Sequence, residues 1–359
     1  MIRHQGLTTI TLAFFLALSG AGLLSFSAPR LLGFNPPKVQ PCDVHCPAGI
    51  PKVPVDKPVR VMTWNVQFLA GTYYPYWAED SSKFLKESDI ESNLDRIIEV
   101  IKNANPDILQ LQEVHFTHPV TFHKNQLEML YRKLADKLPC YSSASYWKST
   151  FIPQKHLTGT IDMRLVTMSR YQIDDATQIL LPATRKKRVL VPFYPRHSLL
   201  EIRMPLENGK NLYAINTHLD APGIGRGNMY EQVDAVYEHL ELLTKSRKHW
   251  LLSGDLNLIP PGFHGHLPEN QKEHYLEHSL LAPFYKSFRG VPALDDLSGS
   301  EWPQWLTAYD LNQDRLDLII DYIFRPEYIG ATNSQVLHLP LDISDHMPVI
   351  TELLLSQEL

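Results

Sequence analysis

The pattern of apolar and polar positions from residue 59 onward predicts strands that alternate with helices. Residues 59–66 alternate and are rich in β-branched side chains, which is typical of a strand. Ser88-x-x-Glu91 has the form of a capping box and opens a run of apolar residues at helical spacing, which Pro106 ends. Residues 107–113 then form a second buried strand. A strand, a helix and a strand in this order predict a right-handed crossover between two parallel strands.

The same alternation continues to the end of the chain. Residues 125–138 and 228–245 are predicted helices because their apolar side chains recur at helical spacing. Further short runs predict strands at residues 165–169, 199–204, 212–218, 250–253, 316–324 and 347–355.

The first candidate functional residues follow one of these predicted strands, residues 250–253. The run is bounded by Gly254-Asp255-Leu256-Asn257, and on an extended backbone Asp255 and Asn257 would project to the same side. That arrangement places a carboxylate and an amide at the mouth of a sheet, where α/β proteins usually bind their ligands. A plain turn is the alternative, because Asp and Asn side chains bond to their own backbone in turns.

Polar residues that bind metals or transfer protons stand at five predicted strand ends. They are Asn65, Glu113, His218, Asp255 with Asn257, and Asp345 with His346. Carboxylate and amide oxygens suit a hard cation such as Mg²⁺, which accepts one or two carboxylates and keeps waters for a substrate phosphate. The set therefore predicts a Mg²⁺ site, with Mn²⁺ as the alternative ion.

Six short motifs lie around these residues in chain order. They are Trp64-Asn65, Leu111-Gln112-Glu113, Asn216-Thr217-His218, Gly254-Asp255-Leu256-Asn257, Asp321-Tyr322-Ile323-Phe324 and Ser344-Asp345-His346. Together they resemble the endonuclease/exonuclease/phosphatase superfamily, which includes deoxyribonuclease I, abasic-site endonucleases, inositol polyphosphate 5-phosphatases and neutral sphingomyelinases. The resemblance implies an α/β fold of the deoxyribonuclease I type, a four-layered sandwich of two packed mixed β-sheets flanked by helices. It also implies phosphoester hydrolysis that depends on a divalent metal.

The resemblance further implies which residues hold the metal. Glu113, helped by Asn65, resembles the main Mg²⁺ ligand, and Asp345 would lie near the metal. Arg226 lies in a Gly-rich segment, residues 222–228, that would face the phosphate or headgroup of the substrate. A plain turn between a strand and a helix is the alternative for that segment.

For the catalytic step, the resemblance gives His346 as the general base, with Asp321 orienting its other ring nitrogen. His218 and Asn257 would hold the phosphate and stabilise the developing charge. Asp255 would position the attacking water.

Asp317 competes with Asp321 for the place beside His346. The two aspartates are four residues apart on a predicted strand and would therefore share a face. Asp321 is preferred because it begins the family motif Asp-Tyr-Ile-Phe, whereas a salt bridge with Arg315 would explain Asp317.

The chain is predicted to have three segments: residues 1–29 are a signal peptide or membrane anchor, residues 30–58 a Pro-rich linker, and residues 59–359 the catalytic domain. A positively charged N-terminal end, an apolar core and a small-x-small site ending at Ala21 are typical of a secretory signal peptide. An uncleaved anchor is one alternative, because the apolar run approaches the roughly 20 residues that a membrane helix needs; a buried soluble helix is another. Signal or anchor would place the catalytic domain outside the cytoplasm.

The linker is expected to be an extended, semi-rigid spacer, because it contains seven prolines and no helical period. Within it, Cys42 and Cys46 would close a small disulfide loop after export or stay as two thiols; half of a metal site is disfavoured, because no second pair of ligands follows. Cys140 is expected to be a buried apolar residue. One of the three cysteines must remain unpaired within a monomer.

The composition narrows the choice of substrate. The chain has 359 residues, 44% of them hydrophobic, and a formal net charge of −5. It therefore lacks the basic footprint of a protein that binds nucleic acid without sequence preference. We expect a monomeric enzyme that associates with a membrane and cleaves a lipid or headgroup phosphodiester, like the sphingomyelinase-like branch of the family. Asp220 departs from that branch, several members of which have Gln at this position.

Two other functions stay open at this point. A secreted nuclease would need a basic groove and salt-sensitive binding. A non-catalytic binding module on the same fold is disfavoured because every metal and His position is present.

Two further segments have several interpretations each. The aromatic loop (residues 73–77) would stack bases, lie in a membrane interface or pack on the domain. The basic run (residues 185–188) would bind phosphates or form a solvated face.

Overall fold

The computed structural model describes residues 34–71, 85–150, 159–183, 194–222, 226–309 and 315–355. The predicted signal segment (residues 1–29), the aromatic loop and the basic run lie outside these ranges. Inside them, no helix combines the length and the hydropathy that a bilayer span requires.

The described residues form fourteen strands. In chain order these are β1 (Val39–Pro41), β2 (Val44–His45), β3 (Val59–Asn65), β4 (Ile108–Thr117), β5 (Cys140–Ser149), β6 (Ile161–Ser169), β7 (Asp175–Leu180), β8 (Ser198–Pro205), β9 (Asn211–His218), β10 (His249–Asp255), β11 (Arg289–Val291), β12 (Asp321–Arg325), β13 (Gly330–Val336) and β14 (Val349–Leu354). The first sheet has the order β13-β14-β3-β4-β6-β5-β2, and the second has the order β1-β7-β8-β9-β10-β12-β11.

Helices cover the two sheets. They are α1 (Glu87–Ala104), α2 (Gln126–Leu134), α3 (Arg226–Lys245) and the short helices α4 (Glu269–Lys272), α5 (Ala282–Ser287) and α6 (Leu294–Ser298). Helix α2 packs against β4 with α1 beside it, and α3 packs against β10. The apolar residues that predicted α1 form its buried face. Two mixed sheets flanked by helices confirm the predicted α/β sandwich.

The start of α1 differs from the prediction. Lys86 is the N-cap residue, and its N–H donates to the carboxylate of Asp89 at 2.8 Å. The predicted capping pair of Ser88 and Glu91 lies inside the helix, so that prediction is wrong. Asp89 is the third helical residue, from which a carboxylate can reach back to the N-cap.

The predicted parallel pairing of the first two strands is confirmed, because β3 and β4 are parallel, with Asn65 opposite Gln112. A second parallel pair, β9 and β10, places His218 opposite Asp255. The carboxyl ends of β3, β9 and β10 therefore meet along one rim of the sandwich.

A buried polar seam joins the two sheets just beneath this rim. Gln112 of the first sheet donates to the Asn216 side chain of the second at 2.8 Å and to Thr63 at 3.1 Å. The Asn216 amide in turn donates to two backbone carbonyls of the first sheet, and Ser253 donates to Gln110. Because an unpaired buried polar group costs about 1–3 kcal/mol, these bonds fix how one sheet sits on the other.

The predicted linker is wrong for the part of it that the structure describes. Strand β1 pairs with β7 at the edge of the second sheet, and β2 pairs with β5 at the edge of the first. Val53 is fully buried and forms an isolated bridge to Leu206, which directly follows β8. Proline is compatible with edge strands, because the missing N–H is not needed there. The segment is therefore an arm that packs along both sheets rather than a spacer.

The predicted pairing of the cysteines is also wrong, although one of the three stays unpaired as expected. Cys46 forms a disulfide with Cys140 rather than with Cys42, and Cys140 is buried as predicted but is not a free thiol. Cys42 is the free thiol, and burial raises its pKa to about 11. The disulfide joins the arm to the start of β5.

Other strand boundaries differ in ways that matter for the site. The predicted strand at 316–324 begins only at Asp321, and β4 continues four residues beyond Glu113, where the prediction ended it. Strands β5, β7 and β13 were not predicted. The Ser-rich sequence of β5 and the polar sequence of β13 hide their alternation.

Candidate active site

Glu113 reaches the rim through a β-bulge in the middle of β4. The pairing of β4 with β6 shifts between Leu111 and Val114, and Glu113 there has a φ of 58°. A bulge with a residue in the left-handed region redirects a side chain and is common beside active sites. The strand therefore does not end at Glu113, but the bulge places its carboxylate where a strand end would have placed it.

Asp255 and Asn257 lie in a turn that the close approach of β9 shapes. Gly254 has a φ of +145°, and a Cβ there would lie 1.9 Å from the backbone oxygen of Thr217, so only glycine fits. Asp255 Oδ1 accepts the Asn257 N–H at 2.9 Å, and the Asn257 side chain donates to Leu219 O at 3.0 Å. The strand stops at Asp255, and Asn257 has a φ of 52°, so the extended backbone from which the same-side projection was predicted does not continue to Asn257.

The second oxygen of Asp255 is the centre of the candidate site. Asp255 Oδ2 lies 3.2 Å from the Asn65 amide nitrogen, 3.4 Å from His218 Nε2 and 3.6 Å from His346 Nε2. Asn65 comes from the first sheet, while Asp255 and His218 come from the second. One buried carboxylate oxygen thus contacts side chains from both sheets.

Glu113 joins this centre through two of the same residues. The Asn65 amide donates to Glu113 Oε1 at 3.0 Å, and His218 Nδ1 lies 3.9 Å from that oxygen. Tyr146 of β5 also contacts His218, with its hydroxyl 3.3 Å from Nδ1. Tyr146 was not predicted, since the fold alone brings β5 to this rim.

Asp321, rather than Asp317, contacts His346. Asp321 Oδ2 lies 2.8 Å from His346 Nδ1, while the backbone oxygen of His346 accepts a hydrogen bond from the Trp64 indole at 2.9 Å. Ser344 holds the same loop by accepting the His346 N–H and donating to the backbone of β3. The ring of His346 is therefore fixed at both its side chain and its backbone.

The two histidines have opposite protonation tendencies. Burial alone would lower the pKa of His346, but the Asp321 and Asp255 carboxylates outweigh burial and raise that pKa well above its ordinary value. For His218, burial dominates and lowers the pKa despite the nearby Asp255 and Glu113. At neutral pH His346 therefore favours the protonated form beside Asp321 and becomes a proton acceptor only as the pH rises, whereas His218 favours the neutral imidazole.

The excess of carboxylates at this rim fits a divalent cation. Burial and the neighbouring Glu113 and Asp255 carboxylates raise the pKa of Asp345 to about 7, because several negative charges lie close together there. Oxygen donors from carboxylates and an amide are the set that Mg²⁺ or Mn²⁺ prefers. Glu113 and Asn65, with Asp345 nearby, are the residues that would hold the ion. A buried group of Asp255, Asp321 and His346 also has metal-binding geometry.

The structure thus brings Asn65, Glu113, His218, Asp255, Asp321 and His346 into one cluster. Asp345 lies beside it, with its N–H donating to Gln67, whose own N–H donates to Asn65. Asn257 borders the cluster through the turn at Asp255. Arg226 is the first residue of α3, and its side chain lies outside the described part of the chain.

A comparison with known protein families supports the family resemblance of the sequence. The Endonuclease/Exonuclease/phosphatase family matches residues 62–346, which is more than half of the chain. No curated protein matches the chain in sequence.

Solved structures agree with the fold. An endonuclease/exonuclease/phosphatase from Beutenbergia cavernae DSM 12333 is 21% identical with a TM-score of 0.56, over 84% of this chain and 72% of that one. The human Nocturnin catalytic domain with bound sulfate anion is 19% identical with a TM-score of 0.52, over 87% and 97%. A Bacteroides vulgatus endonuclease/exonuclease/phosphatase is 15% identical with a TM-score of 0.52, over 83% and 99%.

The chain therefore belongs to the endonuclease/exonuclease/phosphatase family, whose fold it shares. It is a metal-dependent phosphoric ester hydrolase.

The pairing of His346 with Asp321 predicts a specific pH dependence. A general base must be neutral, so activity should rise with pH as His346 loses its proton. Asp321→Asn removes a charge that favours the imidazolium, so the rising limb should move to lower pH and kcat should fall by roughly 10²-fold. The measurement is the pH–rate profile of both forms. Asp317→Asn is the matched control and should leave the limb in place; the reverse result would contradict the assignment.

Proposed function

We propose that this hydrolase is a Mg²⁺-dependent phosphodiesterase that acts outside the cytoplasm or at a membrane on a lipid or headgroup phosphodiester. The observation that carries the catalytic part is the convergence on Asp255 of Asn65 from the first sheet, His218 from the second sheet and His346 from the loop before β14. That convergence supplies an acceptor for the proton of water and donors for a phosphate at the same rim.

Each residue has a task that its contacts support. His346, held by Asp321, would accept the proton of the attacking water, which Asp255 would orient. His218 is neutral and would donate to a phosphate oxygen together with the amide of Asn257. A bound Mg²⁺ would supply Lewis-acid stabilisation of the phosphate charge.

Charge supports a lipid or headgroup substrate over nucleic acid. The formal net charge is −5, and within the described ranges the Glu113, Asp255 and Asp321 carboxylates form their ion pairs with histidines rather than with Lys or Arg. A nuclease that tracks the phosphate backbone needs a groove lined with cations. The nuclease is therefore the second candidate, and a non-catalytic binding module of the same fold is the third.

The disulfide supports an exported catalytic domain. Disulfides persist in oxidising compartments such as the extracellular space and are rare in the cytosol. Cys46 and Cys140 are 94 residues apart in sequence, and their bond fastens the arm to the body of the domain. Together with the apolar N-terminal run, the bond favours a secreted or membrane-anchored protein.

The catalytic proposal predicts activity that requires both the metal and Glu113. The full chain should hydrolyse sphingomyelin in vesicles with Mg²⁺, and EDTA should abolish the activity. Glu113→Gln should lower kcat by about 10²-fold or more, because its carboxylate would hold the ion. The exposed Glu99→Gln is the matched control.

Plasmid DNA and phosphoinositides assayed side by side distinguish the candidates. Preferential cleavage of DNA would favour the nuclease. No hydrolysis of any substrate with Mg²⁺ or Mn²⁺ would contradict the enzyme itself.

The export proposal predicts a processed or membrane-bound, oxidised chain. Non-reducing peptide mapping of protein from the medium and membrane fractions should recover Cys46 joined to Cys140. It should also show either a new N-terminus near Ala21 or the intact N-terminal run in membranes. A full-length, reduced chain in the cytosolic fraction would refute the proposal.

A further inference from the structure

A second pair of a histidine and an aspartate lies directly behind His218. His197 precedes β8 and is only 7% exposed. Its Nδ1 lies 2.6 Å from the backbone oxygen of His218, and its Nε2 lies 2.7 Å from Asp220 Oδ1. Neither residue belongs to the cluster around Asp255, and neither has a role in the hydrolysis described above.

The geometry defines the protonation state of His197. A backbone carbonyl can only accept a hydrogen bond, so Nδ1 must carry a proton to bond to it. An ionised carboxylate can also only accept, so the 2.7 Å contact requires a proton on Nε2 as well. Both ring nitrogens are then donors, which makes His197 an imidazolium. Burial opposes that charge, but Asp220 overcomes it and raises the pKa of His197.

Asp220 is itself held in place from the start of α3. The side chains of Asn228 and Gln232 both donate to its Oδ2, and Gln232 Oε1 accepts its backbone N–H at 3.1 Å. Gln232 also donates to the backbone oxygen of Pro182. The carboxylate of Asp220 therefore connects His197 to α3 and, through Gln232, to the segment that follows β7.

The pair acts on His218, which residues of both sheets contact. The His197 ring lies 5.7 Å from the rings of His218 and Tyr146, edge-on to the first and stacked on the second. Its positive charge also opposes protonation of His218, alongside the burial of that residue. The hydrogen bond to its backbone oxygen holds His218 in place beside Glu113 and Asp255.

We propose that His197 and Asp220 are positioning residues, a buried ion pair that fixes the backbone of His218 for phosphate binding. The inference rests on the proposed function of His218 and adds two residues to its machinery. The ion pair stays intact while His197 is protonated and is lost as the pH rises through its raised pKa. The titratable groups that face it are His218, Tyr146, Asp220 and, at longer range, Asp255.

The test is Asp220→Asn in the full chain, measured with the phosphodiester that the wild type cleaves. The variant keeps the shape of the side chain and its bonds to α3 but removes the charge. We expect kcat to fall by about 10- to 100-fold, the usual effect of losing the partner that orients a histidine, with KM changed less. The pH at which activity falls on the alkaline side should move lower, because without the carboxylate His197 loses its proton earlier.

A nitrogen-detected NMR titration of the histidine rings measures the protonation of His197 directly, without substrate turnover. In the wild type at pH 7, His197 should have both ring nitrogens protonated; in Asp220→Asn, it should lose one of these protons at lower pH. Glu201→Gln is the matched control, because Glu201 pairs with His239 at the same 2.7 Å distance between β8 and α3. This control should change neither kcat nor the signals of His197.

The outcomes separate this inference from the proposed function. If the wild type cleaves a phosphodiester and Asp220→Asn only lowers Tm, as Glu201→Gln does, with kcat and pH profile unchanged, the pair is structural and the inference is wrong. A neutral His197 in the wild type at pH 7 would overturn it as well. If the wild type cleaves none of the phosphodiesters, the proposed function fails, whatever the NMR shows for His197.

Discussion

The position of one sheet on the other is the constraint on which the candidate site depends. Asn65 and Glu113 come from the first sheet, and Asp255 and His218 from the second, yet the Asn65 amide lies within 3.2 Å of both carboxylates. Hydrogen bonds weaken steeply over a few tenths of an ångström, so a small slip of the sheets would separate the two halves. The seam that includes Gln112 lies one residue from Glu113 and opposes such a slip.

Charge is the second constraint, and the fold concentrates negative charge where the chemistry takes place. Carboxylates from three segments of the chain converge on two imidazoles. Burial, and after it the neighbouring carboxylates, raises the pKa values of Asp321 and Asp345. A divalent cation relieves that crowding, so the same arrangement that would cost stability in an empty site favours the metal. The two imidazoles then differ by their neighbours: His346 has Asp321 as an anionic partner, while His218 is backed by the cationic His197.

Much of the site could be predicted from the sequence, because its residues follow short buried strands or form compact motifs. Asp255, His218 and His346 lie beside the strands that their motifs mark. Glu113 reaches the rim for a different reason: a bulge depends on pairing with β6, which no local pattern encodes. Tyr146, His197 and the arm were missed because their partners are distant in sequence, and seven prolines hid two edge strands. Local patterns predict elements, whereas long-range pairing decides edges, bulges and second contacts.

The central claim is that residues from both sheets act as one catalytic unit around Asp255. A double-mutant cycle in kcat/KM tests it most directly, with Glu113→Gln from the first sheet, Asp255→Asn from the second, and the two combined. Residues that act as a unit are strongly non-additive, so the double variant should be about as slow as the slower single variant. If the two losses multiply, as they do for independent sites, the two sheets do not form a single centre and this account is contradicted.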